Sequence, residues 1–97
     1  MSLLLDPLAK IELDDAIEWY EIEKVGLGVK FKAEIDAAFS RILRWPTWSI
    51  NISPNVYRIR VKIFPYKVLY SLIGDDIVIL AISHNHRQPN YWIGRRI

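Results

Sequence analysis

The residues best suited to chemistry lie in the second half of the chain, where Arg58, Arg60, Lys62 and Lys67 are followed by His84, His86, Arg87, Tyr91 and Trp92. Cations at this density suit a phosphate: they neutralise its charge, and arginine can grip two of its oxygens at once. Tyr91 or Trp92 offers a surface for an unstacked base. Metal-free RNA cleavage would need a group to take the 2′-OH proton, cations to stabilise the pentacoordinate phosphorus, and an acid for the leaving oxygen. Arginine suits the second role and is too basic for the first, which leaves His84, His86, Lys67 or Tyr91 for proton transfer. Plainer roles exist for all of them. A cationic strand face is commonly just solvated, a His-x-His pair just hydrogen-bonded, and Tyr91-Trp92 an aromatic anchor that closes a core. Two imidazoles without a third ligand make a poor metal site, and neither a cofactor nor a small-molecule substrate is expected.

Strands must carry these cations. Residues 56–63 alternate Tyr57, Ile59, Val61 and Ile63 with Arg58, Arg60 and Lys62, the pattern of a strand with one buried face. Residues 66–73 and 76–83 form two more, the last apolar on both faces, as a strand covered on both sides would be. A two-residue loop at 64–65 would pair Lys62 with Lys67, Arg60 with Leu69 and Arg58 with Ser71. Arg58, Arg60, Lys62 and Lys67 then share one face, and with a turn at Gly74-Asp75 so do Val78, Leu80, Ile82 and His84. His86, Arg87, Tyr91 and Trp92 would cross this groove from the tail. Segments 49–53 and 3–5 are candidates for short additional strands.

Helices must cover the apolar face. Asp6-Pro7 pairs an N-cap residue with proline at the first helical position, and Ala9, Leu13, Ala16, Ile17 and Tyr20 follow at helical spacing. Gly26 is placed to end this helix near Val25. A second helix carries Leu27, Phe31, Ile35, Phe39 and Ile42 on one stripe and stops at Trp45-Pro46. The short Gly26-Leu27-Gly28 connection makes the two antiparallel neighbours. Trp19-Tyr20 is read as packing, and the carboxylates of the first helix as solvated and without partners. The expected fold is α+β: an N-terminal antiparallel helical hairpin on a small, mainly antiparallel twisted sheet, with a short aromatic and basic tail.

The 97 residues suit a single domain over 1–97, and 52% hydrophobic content argues against disorder. Cysteine is absent, so neither a disulfide nor a thiolate nucleophile exists. Leu3-Leu4-Leu5 is stopped at once by Asp6-Pro7, too short for a signal peptide, and no apolar run could span a bilayer, so a cytoplasmic protein without a membrane partner is expected. Residues 1–46 carry six Lys/Arg against nine Asp/Glu, whereas residues 47–97 carry seven against two. That bias points the second half toward nucleic acid or an acidic protein.

Taken in order, Pro7-Leu8-Ala9, Trp19-Tyr20-Glu21, Gly26-Leu27-Gly28-x-x-Phe31, Tyr57-Arg58-x-Arg60, Phe64-Pro65-Tyr66 with Tyr70, and His84-x-His86-Arg87-x-Pro89-x-Tyr91-Trp92 resemble the RelE/ParE toxin superfamily over nearly the whole chain. The Phe-Pro-Tyr and tail motifs are most similar to ParE-like plasmid-stabilisation toxins. The resemblance implies a helical hairpin on a small antiparallel sheet, and a growth-inhibiting toxin neutralised by a cognate antitoxin protein. It implies one of two targets: DNA gyrase for ParE-like members, or messenger RNA cut in the ribosomal A site for RelE-like members. Carried over by position, the ribonuclease site falls on Arg58, Arg60, Lys67, Arg87 and Tyr91. Lysines of the best-understood ribonuclease are arginines at 58 and 60 here, and a related enzyme's glutamate base has no counterpart in residues 56–63. The resemblance therefore favours inhibition of gyrase by binding, with RNA cleavage as the alternative and His84 or His86 as substitute bases.

Overall fold

The computed structural model describes residues 1–95, so the end of the expected 1–97 unit lies outside the described residues. The elements run β1 (Ser2–Leu5), α1 (Pro7–Glu23), α2 (Leu27–Arg44), β2 (Ile50–Ser53), β3 (Val56–Arg60), β4 (Tyr66–Ile73) and β5 (Asp76–His84). The strands form one sheet in the order β1-β5-β4-β3-β2, antiparallel except for β1 beside β5. The helical hairpin covers one face of this sheet, as the sequence predicts.

The helices begin and end for local reasons. The Asp6 carboxylate accepts from the Leu8 amide at 2.9 Å, with Pro7 at the first helical position. α1 stops at Glu23, slightly before the expected end. Gly26 takes the left-handed conformation (φ +90°) as the N-cap of α2 rather than as the cap of α1. Glu21 is not simply solvated. Its carboxylate accepts from the Gly26 amide at 2.8 Å and the Gly28 amide at 3.0 Å, so a side chain of α1 satisfies donors at the start of α2.

The inner core joins Phe31, Ile35, Ala38 and Ile42 of α2 to Ala9, Leu13 and Ala16 of α1 and to Val68, Tyr70, Ile77, Ile79 and Ile82 of the sheet. At one end an aromatic cluster forms. Phe64 meets Phe31 edge-on at 5.0 Å and Tyr20 at 4.9 Å, an arrangement favoured by the ring quadrupoles. Tyr20 packs as expected, but its neighbour Trp19 stands largely exposed.

Burying Phe64 changes the expected β3–β4 register. The hairpin loop takes five residues, 61–65, instead of two. Val61 donates to the Tyr66 carbonyl at 2.9 Å, and Ile63 is forced to φ +75°, a costly conformation for a β-branched residue. Arg60 pairs with Lys67 and Arg58 with Leu69. The register has slipped by two residues, which keeps the side chains of residues 56–60 on their expected faces but removes Lys62 and Ile63 from the strand into the loop, where both are exposed and Ile63 leaves the expected buried face.

A second departure does change faces. Leu69 pairs with Ala81 and Tyr70 with Ile79, so Leu80 is the extra residue of a β-bulge. Leu80 and Ala81 both face outward, where Val56, Leu69, Val78 and Trp92 form a second core. Beyond the bulge the alternation is reversed. Ile82 joins the inner core, and His84 follows it to the helix side, meeting Tyr66 edge-on at 5.1 Å. The sequence pattern places both on the cationic face, and the bulge moves them across the sheet.

Burial pushes the hydroxyls of Tyr20, Tyr66 and Tyr70 above the ordinary tyrosine range. Above about pH 10 the unfolded chain loses these protons while the folded chain still holds them, so the folded state binds more protons and stability falls as pH rises. Urea midpoints measured from pH 7 upward should stay flat until about pH 9 and decline through pH 10 and beyond. A midpoint that holds steady to pH 11 would contradict the burial of these hydroxyls.

Candidate functional site

On the outer face, β3, β4 and the tail enclose a small cleft of about 120 Å³ lined by Arg58, Lys67, Ser83, Arg87, Asn90 and Tyr91, among others. Arg58 is there because period-2 alternation turns it away from the helices, and Lys67 because it stands one ladder step away on β4. The tail turns back after β5 through a bond from the Arg87 amide to the His84 carbonyl (2.9 Å). Trp92 then plugs the outer core. Four of the predicted site residues, Arg58, Lys67, Arg87 and Tyr91, therefore meet at one place.

The others do not. Arg60 is exposed and is not among the residues lining the cleft. His84 lies on the helix side of the sheet, in a groove of about 630 Å³ with Glu12, Trp19, Tyr20 and Tyr66. Its Nδ1 accepts from the His86 amide at 3.0 Å, and the two imidazoles are 5.4 Å apart. His86 is exposed and lines neither hollow. Arg87 reaches both the cleft and the groove. Trp92 is buried, so it offers no platform for a base.

One polar atom at the cleft, the Arg58 Nε, is buried without a hydrogen-bond partner among the described residues, whereas the Tyr91 hydroxyl lies beside Ser83 and Glu12. An unpaired guanidinium N–H costs free energy that an arriving oxyanion would recover. The Tyr91 ring is flanked by two guanidiniums, Arg87 at 4.0 Å and Arg95 at 5.0 Å from its centroid, so its faces are taken by cations. Burial pushes the Tyr91 hydroxyl above its ordinary range, and the Glu12 carboxylate pushes it further.

Glu12 itself is a residue that sequence reasoning missed. Arg95 donates to both of its oxygens, at 2.9 and 3.1 Å, and to the Leu80 carbonyl at 2.8 Å, while the Ile82 amide donates to Glu12 at 3.1 Å. The Glu12 hydrogen bonds hold the Arg95 guanidinium above its ordinary value. The first helix thus has a partnered carboxylate, and through it α1, the bulged part of β5 and the tail are tied together. The signal was present: Glu12 falls between Ala9 and Ala16 on the buried stripe.

Among the described residues, no three His, Asp or Glu side chains gather where they could hold a metal ion, and no helix is long and apolar enough to cross a membrane.

A family model described as the ParE toxin of the type II toxin-antitoxin system, parDE, matches residues 3–89. The chain belongs to the ParE toxin family. A chain of the chromosomal ParDE TA system from P. aeruginosa is similar in structure, with a TM-score of 0.76 and 19% identity, covering 87% of this chain and 95% of that one. The isolated E. coli RelE toxin is similar with a TM-score of 0.65 and 17% identity, covering 93% and 89%. Both likenesses are likenesses of fold. No curated protein sequence matches. The family accounts for the helical hairpin on the sheet and makes the chain a toxin of the kind that pairs with an antitoxin. In this ParE-family chain the cationic cleft lies on the face of the sheet opposite that hairpin.

Proposed function

We propose that the chain, acting as a single cytoplasmic domain over residues 1–97, is the toxin of a plasmid-stabilisation module and arrests growth by binding DNA gyrase rather than by cutting RNA. A cognate antitoxin protein would neutralise it. The observation that carries this reading is the composition of the cleft. Arg58, Lys67 and Arg87 supply positive charge, but neither a carboxylate nor an imidazole stands among the described residues lining it. The bulge at Leu80 puts His84 across the sheet, and burial keeps the Tyr91 hydroxyl protonated. Such a site can grip an oxyanion and has little with which to take a proton from a 2′-hydroxyl. Arg58, Arg60 and Arg87 are then contact residues.

Purified chain should block negative supercoiling of relaxed plasmid by gyrase. Arg58→Ala should raise the concentration needed by about tenfold or more, since a buried charged contact is lost. Supercoiling that proceeds normally at concentrations which arrest growth in cells would refute the gyrase target.

One observation favours the alternative, a ribosome-dependent endoribonuclease. Four of the five positions carried over from the ribonuclease, Arg58, Lys67, Arg87 and Tyr91, line the same cleft. In that reading the 2′-oxygen passes its proton to Lys67 and attacks phosphorus, the arginines stabilise the added charge, and the 5′-oxygen leaves with the proton of the Tyr91 hydroxyl.

A further inference from the structure

The loop between α2 and β2 carries an aromatic surface that no described part of the chain covers. Trp45 and Trp48 stack with centroids 5.4 Å apart and planes 15° apart. Trp48 is 78% exposed and Trp45 40%. With one face of Trp48 against Trp45, its other face is open to water.

The stack is held in place from beneath. Pro46 occupies the second position of a tight turn, for which its fixed φ is pre-set, and the Trp48 amide closes that turn on the Trp45 carbonyl at 3.2 Å. The hydroxyl of Tyr70, a core residue, donates to the Pro46 carbonyl at 2.7 Å. A rigid exposed indole loses little entropy on binding a partner.

Its surroundings carry charge of one sign. The Arg44 guanidinium lies 5.2 Å from the Trp45 ring centre. Arg41 and Arg44 line a shallow hollow of about 530 Å³ with Ser40, Leu43 and Trp45, without a carboxylate among the described lining. Arg41 also donates to the Arg60 carbonyl at 3.3 Å, which ties its side chain to the end of β3. Tryptophan and arginine are enriched at protein interfaces too, so it is the absence of any carboxylate from the described lining that favours a polyanionic occupant. A flat open ring beside guanidiniums alone matches the alternating planes and phosphates of an unpaired strand.

We propose that Trp45, Trp48, Arg41 and Arg44 form a binding site for single-stranded nucleic acid. One base stacks on the open face of Trp48, and the neighbouring phosphates are held by Arg44 and Arg41. This goes beyond the proposed action on gyrase and uses none of the residues lining the Arg58 cleft.

Fluorescence anisotropy of labelled oligo(dA) and oligo(A), each about twelve nucleotides long, should report binding to the purified full chain, with inorganic polyphosphate as a competitor that lacks bases. Trp48→Ala should weaken binding roughly 5- to 100-fold, and Trp48→Phe should restore most of it. Arg44→Ala should reduce the salt dependence of binding by about 0.7 in log–log slope. Tighter binding of either sugar type identifies which strand is preferred. Because Trp48 is exposed, both Trp48 variants should melt with the parent protein. The proposal is overturned if Trp48→Ala binds as the parent does, or if polyphosphate competes as well as unlabelled oligonucleotide. Absence of binding to both oligonucleotides would also overturn it and leave the surface to a protein partner.

Discussion

Arg95→Ala should destabilise the fold by about 3–5 kcal/mol, because it strands the nearly buried Glu12 carboxylate without its cationic partner and with only the Ile82 amide to hold it. The Glu12 and Arg95 side chains are only 14% and 9% exposed, and their bonds run between residues 83 positions apart. Surface pairs such as Lys10–Asp14 and Lys32–Asp36, each more than half exposed, contribute a few tenths of a kcal/mol at most. For a domain of this size the loss corresponds to at least about 12 °C in melting temperature, a large share of the whole stability. Replacing both partners, as in Glu12→Gln with Arg95→Met, should cost less than the two single changes added together, since no charge is then left unpaired. Melting followed by circular dichroism reads all of these. A loss below about 1 kcal/mol for Arg95→Ala would mean that the tail is fastened mainly by Trp92.

Gly28→Ala should be nearly as damaging, against the direction that helix propensity alone would give. Alanine inside a helix is favoured over glycine by about 1 kcal/mol. Here a Cβ would stand 2.5 Å from the Ile17 carbonyl oxygen, 2.9 Å from the Glu21 Cβ and 3.0 Å from the Glu21 Oε1. A carbonyl oxygen within α1 cannot step aside, so the helices must part and Glu21 must release the Gly28 amide. Overpacking and the lost cap together come to roughly 3 kcal/mol. Gly26→Ala is the instructive contrast. It meets open space, and only its φ of +90° resists, for about 1–2 kcal/mol. A rise in the urea midpoint of Gly28→Ala would show that the helices do not approach so closely.

Some of this was legible in the sequence, and particular residues show where legibility ended. Arg58 and Arg60 were placed on the outer face because cations alternate with Tyr57 and Ile59, and a register slip of two residues leaves that assignment intact. His84 lies on the opposite face from the one simple alternation predicts, because β5 is apolar on both faces. Such a strand carries no parity signal, so nothing in Val78 to Ile82 betrays the extra residue at Leu80. The five-residue loop was hidden for a related reason: Phe-Pro looks like a tight turn until Phe64 is seen to fill the gap beside Phe31 and Tyr20. The Glu12–Arg95 pair spans nearly the whole chain and belongs to no motif. Trp48 is a further case, because a lone tryptophan before a strand says nothing of which way it faces. Convergence of Arg58, Lys67, Arg87 and Tyr91 needed both the strand pattern and the tail motif, and both were readable.

Whether this protein works by binding or by cutting is tested most directly by primer-extension mapping of messenger RNA in a cell-free translation reaction, with and without the purified chain. A cleft with cations and without a poised base should leave every transcript intact. New ends in register with codons, formed only when ribosomes are present and lost with Arg58→Ala, would contradict the binding mechanism and make the Arg58, Lys67, Arg87 and Tyr91 cleft a nuclease site.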